Sequence, residues 1–265
     1  MCQVIALANQ KGGVGKTTAT INIAYALAQR GQRVLAVDID PQASLTIYFG
    51  HDPRELEEKQ RTIYWALTDE EIGFEQLTIP GNPALVPASI QLSEAEIKFA
   101  QEWDSASFMR DKIAEVRDQY DFILIDCPPT LTLLTVNALV ASDSVIIPVK
   151  TDYLSIMGLQ LLLRTIARIR RRQNPTLEIL GILPTMFDSR NNHDNGALKE
   201  LCEAHAGEIH VFDPIGRSTQ FDNAALEGRS TLELIPDSTA AQNFYPLTDH
   251  LIYHGKKQTS FEQQI

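Results

Sequence analysis

"NQKGGVGKTT", residues 9–18, follows an unbroken apolar run, "VIALA" at 4–8. A strand, a glycine turn and a helix start in that order decide the fold. Gly12, Gly13 and Gly15 let backbone N–H groups turn inward, beside the positive end of a helix that opens at Thr17. Such a loop holds phosphate. The ordinary phosphate-binding pattern would have a glycine at position 10, where this chain has Gln10, followed by a second lysine, Lys11, besides Lys16. One lysine suffices to hold phosphates, so Lys11 needs a role of its own.

Outward from the loop, strands and helices alternate. Helix is expected from Thr17 to Arg30, stopped by Gly31. Strands are expected at "QVIALA" (3–8), "RVLAVDID" (33–40), "DFILIDCPP" (121–129), "SVIIPVK" (144–150) and "LEILGILPT" (177–185). Helical spacing marks "SEAEIKFAQEW" (93–103), where Ser93 and Glu96 have the spacing of a capping box. It also marks "FMRDKIAEVRDQ" (108–119), "LLTVNALVA" (133–141), Ser155 to Arg172, "GALKELCEAHA" (196–206) and Ser238 to Ile252, before a polar tail over about 254–265. Near-continuous apolar strands alternating with helices predict an α/β fold: a doubly wound, mostly parallel sheet of P-loop NTPase type, with helices on both faces. One domain over 1–265 is expected.

Composition narrows the class. Of 265 residues, 44% are apolar and 22% charged, which suits a globular protein. No run of 18 apolar residues is present, and the N-terminus has no secretory pattern, so a cytoplasmic protein is expected. Cys2, Cys127 and Cys202 are widely spaced, which fits a reducing compartment and no cysteine-ligated metal. The net charge of −11 disfavours nucleic acid, but it is unevenly spread. Residues 51–121 carry a net −9, whereas residues 150–172 carry six cations and one acid. Screening acts over about 10 Å, so the local patch matters more than the sum.

In such sheets ligands bind at the carboxyl ends of strands. The unusual polar residues collect there: the glycine loop, Asp38 and Asp40 after the second strand, Asp126 in "IDCPP", then "PVKTD" and "PTMFD". The backbone of Gly12, Gly13, Val14 and Gly15, with Thr17 and Thr18, suits phosphate oxygens; Lys16 suits the β/γ-phosphates. The Thr17 hydroxyl and Asp126 suit Mg2+. Of Asp38 and Asp40, one suits the Mg2+ side or a structural role, and the other can orient an attacking water.

"KGGVGKTT" with "VDIDPQ", "ILIDCPPT" and "VIIPV" resembles the ParA/MinD group of deviant Walker-A ATPases, most of all the short Soj-type partition ATPases, from Gln3 to about Ile252. The resemblance implies ATP and Mg2+ as ligands and a face-to-face homodimer around two ATPs. It makes Lys11 a catalytic lysine that reaches the partner's nucleotide, with Lys16 acting in its own loop. A cation about 4 Å from a phosphate oxygen gains roughly 4 kcal/mol at an effective dielectric near 20. Asp40 becomes the residue that activates water, Asp38 joins Thr17 and Asp126 on the metal side, and Met186 and Pro214 join the nucleotide contacts.

Within that group, the ending "GKKQTSFEQQI" has no apolar face for a membrane, the cluster cysteines of nitrogenase iron proteins are absent, and with the loop at residue 9 no preceding DNA-reading domain is expected. What remains implies nonspecific DNA binding by a nucleoid-associated dimer that a ParB-like or cargo-adaptor protein stimulates. Arg190 and Arg217 fall where Soj-like proteins carry DNA-contacting arginines, although Gln220 stands where a further basic residue is usual. Arg168, Arg170, Arg171 and Arg172 are further candidates, or else a solvated helix end that suits the dipole. An alternative is a metabolic ATP-dependent ligase of the same fold, similar to dethiobiotin synthetase. Lys150, at the end of "SVIIPVK", is either a loop lysine in water or a supplement to Lys11 across the dimer.

Overall fold

The computed structural model of the chain describes residues 2–99 and 107–262. Its strands are β1 (Gln3–Leu7), β2 (Val34–Asp38), β3 (Ala84–Val86), β4 (Phe122–Asp126), β5 (Ser144–Lys150) and β6 (Glu178–Thr185). They form one sheet in the order β3-β2-β4-β1-β5-β6, and every pair is parallel. The helices are α1 (Lys16–Gln29), α2 (Ser44–Tyr48), α3 (Pro53–Glu58), α4 (Ile63–Thr68), α5 (Phe74–Leu77), α6 (Leu92–Phe99) and α7 (Phe108–Val116). After β4 come α8 (Leu133–Ala141), α9 (Tyr153–Arg172), α10 (Asn192–Ala204), α11 (Gln220–Leu226), α12 (Thr231–Leu234) and α13 (Phe244–Glu262).

Both sheet faces are covered, as the apolar strands require. Alternation along β1 sends Val4 and Ala6 into one core, with Val37, Ile125 and the apolar side of α9. Ile5 and Leu7 enter the other, with α1 residues Ile23 and Leu27 and α13 residues Phe244 and Leu251. Register then sets Asp38 of β2 opposite Asp126 of β4. Two carboxylates thus end adjacent strands.

Several boundaries differ from those the sequence suggests, each for a local reason. β2 stops at Asp38 because the Asp40 N–H turns to the Asp38 carboxylate. β4 stops at Asp126; Pro128 and Pro129 have no N–H for a ladder. The Ser93–Glu96 capping box does not form: the Leu92 and Ser93 amides bond to Ser89 and Ile90 carbonyls, so α6 is already running at Ser93. The expected extension of that helix through 100–103 lies outside the described residues. α9 opens at Tyr153, capped by Asp152, and α10 at Asn192, capped by Asn191. Residues 239–243 form turns, so α13 starts at Phe244; it runs on to Glu262 through most of the expected tail. β3 and the short helices α2 to α5 carry too few residues for any periodicity to announce them.

Candidate nucleotide site

The loop between β1 and α1 is held from three sides. Asn9 donates to the Pro148 carbonyl at 2.6 Å and accepts from the Lys11 N–H at 3.0 Å. Gln10, in the place of a glycine, donates to the Gly158 carbonyl within α9 at 2.7 Å. The Thr185 hydroxyl, ending β6, donates to the Val14 carbonyl at 2.9 Å. Gly13 and Gly15 hold φ of +67° and +79°, conformations that cost glycine little. No side chain caps α1, so its first amides are left for an anion. The Lys16 ammonium is buried within this loop, 3.4 Å from the Lys11 carbonyl, and burial lowers its pKa against the pull of Asp126.

Beside the loop lie the strand-end acids. Asp126 Oδ2 accepts from the Thr17 hydroxyl at 2.7 Å. Burial, and then the charge of Asp38, pushes Asp126 up to about 8 despite that bond. Asp38 spends both oxygens on the chain: Oδ1 accepts from the Asp40 N–H at 3.1 Å, and Oδ2 from the Thr46 N–H and hydroxyl at 2.8 Å each. Burial still pushes it up to about 7. Asp38 thereby shapes the turn that presents Asp40. Asp40 itself lines a cleft with Gly12 to Thr18, Ser44, Tyr48, Pro129 and Met186.

A second cavity, of about 270 Å3, opens from Gly15 and Thr18 toward Met186, Ile215, Phe221 and Phe244, with Arg217 and Asp222 at its wall. The apolar side chains of Met186, Ile215, Phe221 and Phe244, set among polar ones, and its place beside the loop suit the flat ring of a nucleotide base. Met186 belongs to both cavities and has φ +54°. Pro214 lines neither; its carbonyl accepts from Asn243 at 2.8 Å and so steadies the segment that carries Ile215.

Lys11 points elsewhere. Its ammonium donates to Ser155 Oγ at 2.7 Å and to Asp152 Oδ1 at 3.2 Å, at the start of α9. Burial works against ionisation of Asp152, but bonds from the Ser155 amide and hydroxyl, Lys150 and Lys11 outweigh it and hold Asp152 down at about 2.

The family model described as an AAA domain matches residues 2–179. The sporulation initiation inhibitor protein Soj of Bacillus subtilis is 36% identical over 257 residues, covering 96% of this chain and all of the relative. The chain belongs to the ParA/MinD family of ATPases. The chromosome partitioning protein ParA of Caulobacter vibrioides is 38% identical over 235 residues, 87% of this chain and 86% of the relative. Among solved structures, a cobyrinic acid a,c-diamide synthase from Mycobacterium smegmatis, with bound ATP analog and magnesium, is 33% identical at a TM-score of 0.84. It covers 97% of this chain and 96% of that one.

In this ParA/MinD-family chain the six candidate arginines fall into two groups. Arg190 and Arg217 follow β6 at the nucleotide end, and both act on Asp188. Arg190 is 89% exposed yet doubly bonded to that carboxylate, at 3.0 and 2.9 Å. Arg217 also lines the second cavity. Arg168, Arg170, Arg171 and Arg172 are exposed at the far end of α9, about 25 Å along the helix from Asp152 at 1.5 Å per residue. Sequence reading missed Thr46, Asp152, Ser155, Thr185 and Phe221. "PVKTD" and "PTMFD" mark strand ends, but only packing brings Asp152 to Lys11, 141 positions away.

Proposed function

We propose that this chain is a ParA-type positioning ATPase. It binds ATP with Mg2+, closes face to face on a second copy, and in that state holds nucleoid DNA without sequence preference. A ParB-like or cargo-adaptor partner speeds hydrolysis and separates the dimer, so that a plasmid, a chromosome or a protein body such as a carboxysome is positioned. The reading places the chain in the cytoplasm, on the nucleoid. Among the described residues no helix is long and apolar enough to cross a membrane. The observation that carries the reading is the split between the two lysines. The Lys16 ammonium stays inside its own loop, whereas the Lys11 ammonium lies outside it, held by Ser155 and Asp152 at the start of α9, and would have to leave them to reach another copy's phosphates.

The residues present fit the ligands. The uncapped start of α1 and the turns at Gly13 and Gly15 suit the phosphates, and Lys16 neutralises them. Asp38 and Asp126 form a buried acidic pair whose charge a divalent cation would balance. Thr17 and Asp126 would hold Mg2+, and Asp38, committed to Thr46 and Asp40, would contribute its charge from behind. Held there, the ion would supply positive charge against the phosphates. Asp40, which lines the loop cleft, would orient the attacking water, and Met186, Ile215 and Phe221 would contact the base. Basal turnover is slow, as in phosphate-loop GTPases that wait for a partner at about 10⁻⁴ s⁻¹.

A second reading, an ATP-dependent amide-forming synthase, is favoured by the likeness to the cobyrinic acid a,c-diamide synthase. One assay separates the two. The positioning ATPase hydrolyses ATP without any organic acceptor and, with ATP, is retained on DNA of arbitrary sequence. A synthase requires an acceptor such as cobyrinic acid for turnover and ignores DNA. Acceptor-dependent turnover without DNA retention would overturn the first reading.

A further inference from the structure

Lys150 is the last residue of β5, in register with Thr185 of β6. Its ammonium lies 3.2 Å from Asp152 Oδ2, and the Lys11 ammonium lies 3.2 Å from Asp152 Oδ1. The same carboxylate caps α9, where Oδ1 accepts from the Ser155 N–H at 2.8 Å. One anion therefore serves two ammonium groups and a helix start. The three side chains are 40% (Lys11), 37% (Lys150) and 32% (Asp152) exposed, so neither pair alone is strong. What matters is the difference Lys150 makes to Lys11.

Two consequences follow from like charges on one anion. Lys150 repels Lys11 and shares its counter-ion, so it loosens the hold of Asp152 on Lys11. When Lys11 leaves, Asp152 keeps a cation and is not stranded. Both effects favour departure. We propose that Lys150 is a standing counter-ion for Asp152 that eases Lys11 off α9 and so lowers the cost of closing the dimer. This makes Lys150 a positioning residue that works within its own chain, and it rests on the reading of Lys11 as the lysine that serves a second copy. A Lys150 that instead reached across to the other copy would act whether or not Asp152 carried charge.

The test uses the full chain with Lys150→Met, which keeps the stem and removes the charge, and Lys150→Arg, which keeps the charge. Each is made alone and with Asp152→Asn, which keeps a capping side chain. The first readout is acetylation of Lys11 in the nucleotide-free protein, by competitive labelling and mass spectrometry. Lys150→Met should slow Lys11 labelling about three-fold, the scale of an exposed ion pair, and raised salt should shrink the effect. Lys150→Arg should restore it, and in the Asp152→Asn background Lys150→Met should change nothing. The second readout is ATP-dependent association by sedimentation, with Asp40→Ala in every protein. Lys150→Met should weaken it about three-fold, again only where Asp152 is intact. Unchanged or faster labelling, or an equal effect without Asp152, overturns the proposal. Failure of the unmodified chain to associate with ATP would overturn the dimer reading instead, and the labelling would still decide the ion sharing.

Discussion

The Thr17 hydroxyl donates to Asp126 Oδ2 at 2.7 Å, tying the first turn of α1 to the end of β4 across 109 positions. That bond sits beside a second buried carboxylate, Asp38, and the pair governs how the protein without added ligand responds to pH. Asp126 and Asp38 are pushed up to about 8 and about 7, in both cases chiefly by burial. Both values lie above the ordinary carboxylate value of about 3.9, so the folded chain holds these protons more tightly than the unfolded one. The resulting stability is full below about pH 4 and is lost as pH rises toward 8. In EDTA and without nucleotide, the melting temperature should therefore fall between about pH 5 and about pH 8. Asp126→Asn should flatten that slope and lose the stabilisation that Mg2+ with ATP confers. A variant with the unmodified slope would show that Asp126 does not titrate in this range.

Lys16→Ala should weaken ATP binding by about ten- to 150-fold, since charge-assisted bonds to phosphate contribute on the order of 1.5–3 kcal/mol. Titration of a fluorescent ATP analogue measures this. Affinity near that of the unmodified chain would remove the loop from the phosphate assignment. The same titration should favour ATP over GTP.

Asp40→Ala should bind ATP, accumulate as a dimer and turn over about a hundred-fold more slowly, because only water activation is lost. Lys11→Ala should bind ATP and stay monomeric. Gly12→Val sharpens the comparison. A Cβ at Gly12 would stand 3.7 Å from Pro129 Cβ, an ordinary contact, so the folded chain has room for it. A valine there should leave melting and ATP binding intact and block association, if two such loops meet. Sedimentation with ATP reads all three, and a monomeric Asp40→Ala protein would contradict the role of Asp40.

The two arginine groups give DNA binding a geometric test. Retention on DNA should require ATP and fall steeply with salt, and each lost phosphate contact should lower the salt slope by about 0.9. Neutralising Arg190 and Arg217 and, separately, Arg168, Arg170, Arg171 and Arg172 will show which end of α9 meets the duplex. A group whose removal leaves affinity and slope unchanged is surface charge only.

Much of this protein is written locally in its sequence. β1, the glycine loop and α1 are contiguous, and each uses short-range rules: an apolar run, glycine at positive φ, and a lysine and threonine at a helix start. The same holds for the order of strands along the chain, and for Asp38 and Asp126 at the ends of apolar runs, because a strand end is a local event. Tertiary structure decided what depends on distant neighbours. The three-residue β3 exists only because β2 offers it an edge, with Leu35 opposite Ala84. Asp38 became the anchor of the Asp40 turn because α2 returns Thr46 to it. The six arginines, alike in sequence, were parted by the length of α9. Lys11, legible as a second lysine, acquired Asp152 and Ser155 only when β5 delivered the start of α9 beside the loop. Backbone propensity acts over a few residues, whereas side-chain partners are chosen by packing, which joins positions more than a hundred residues apart.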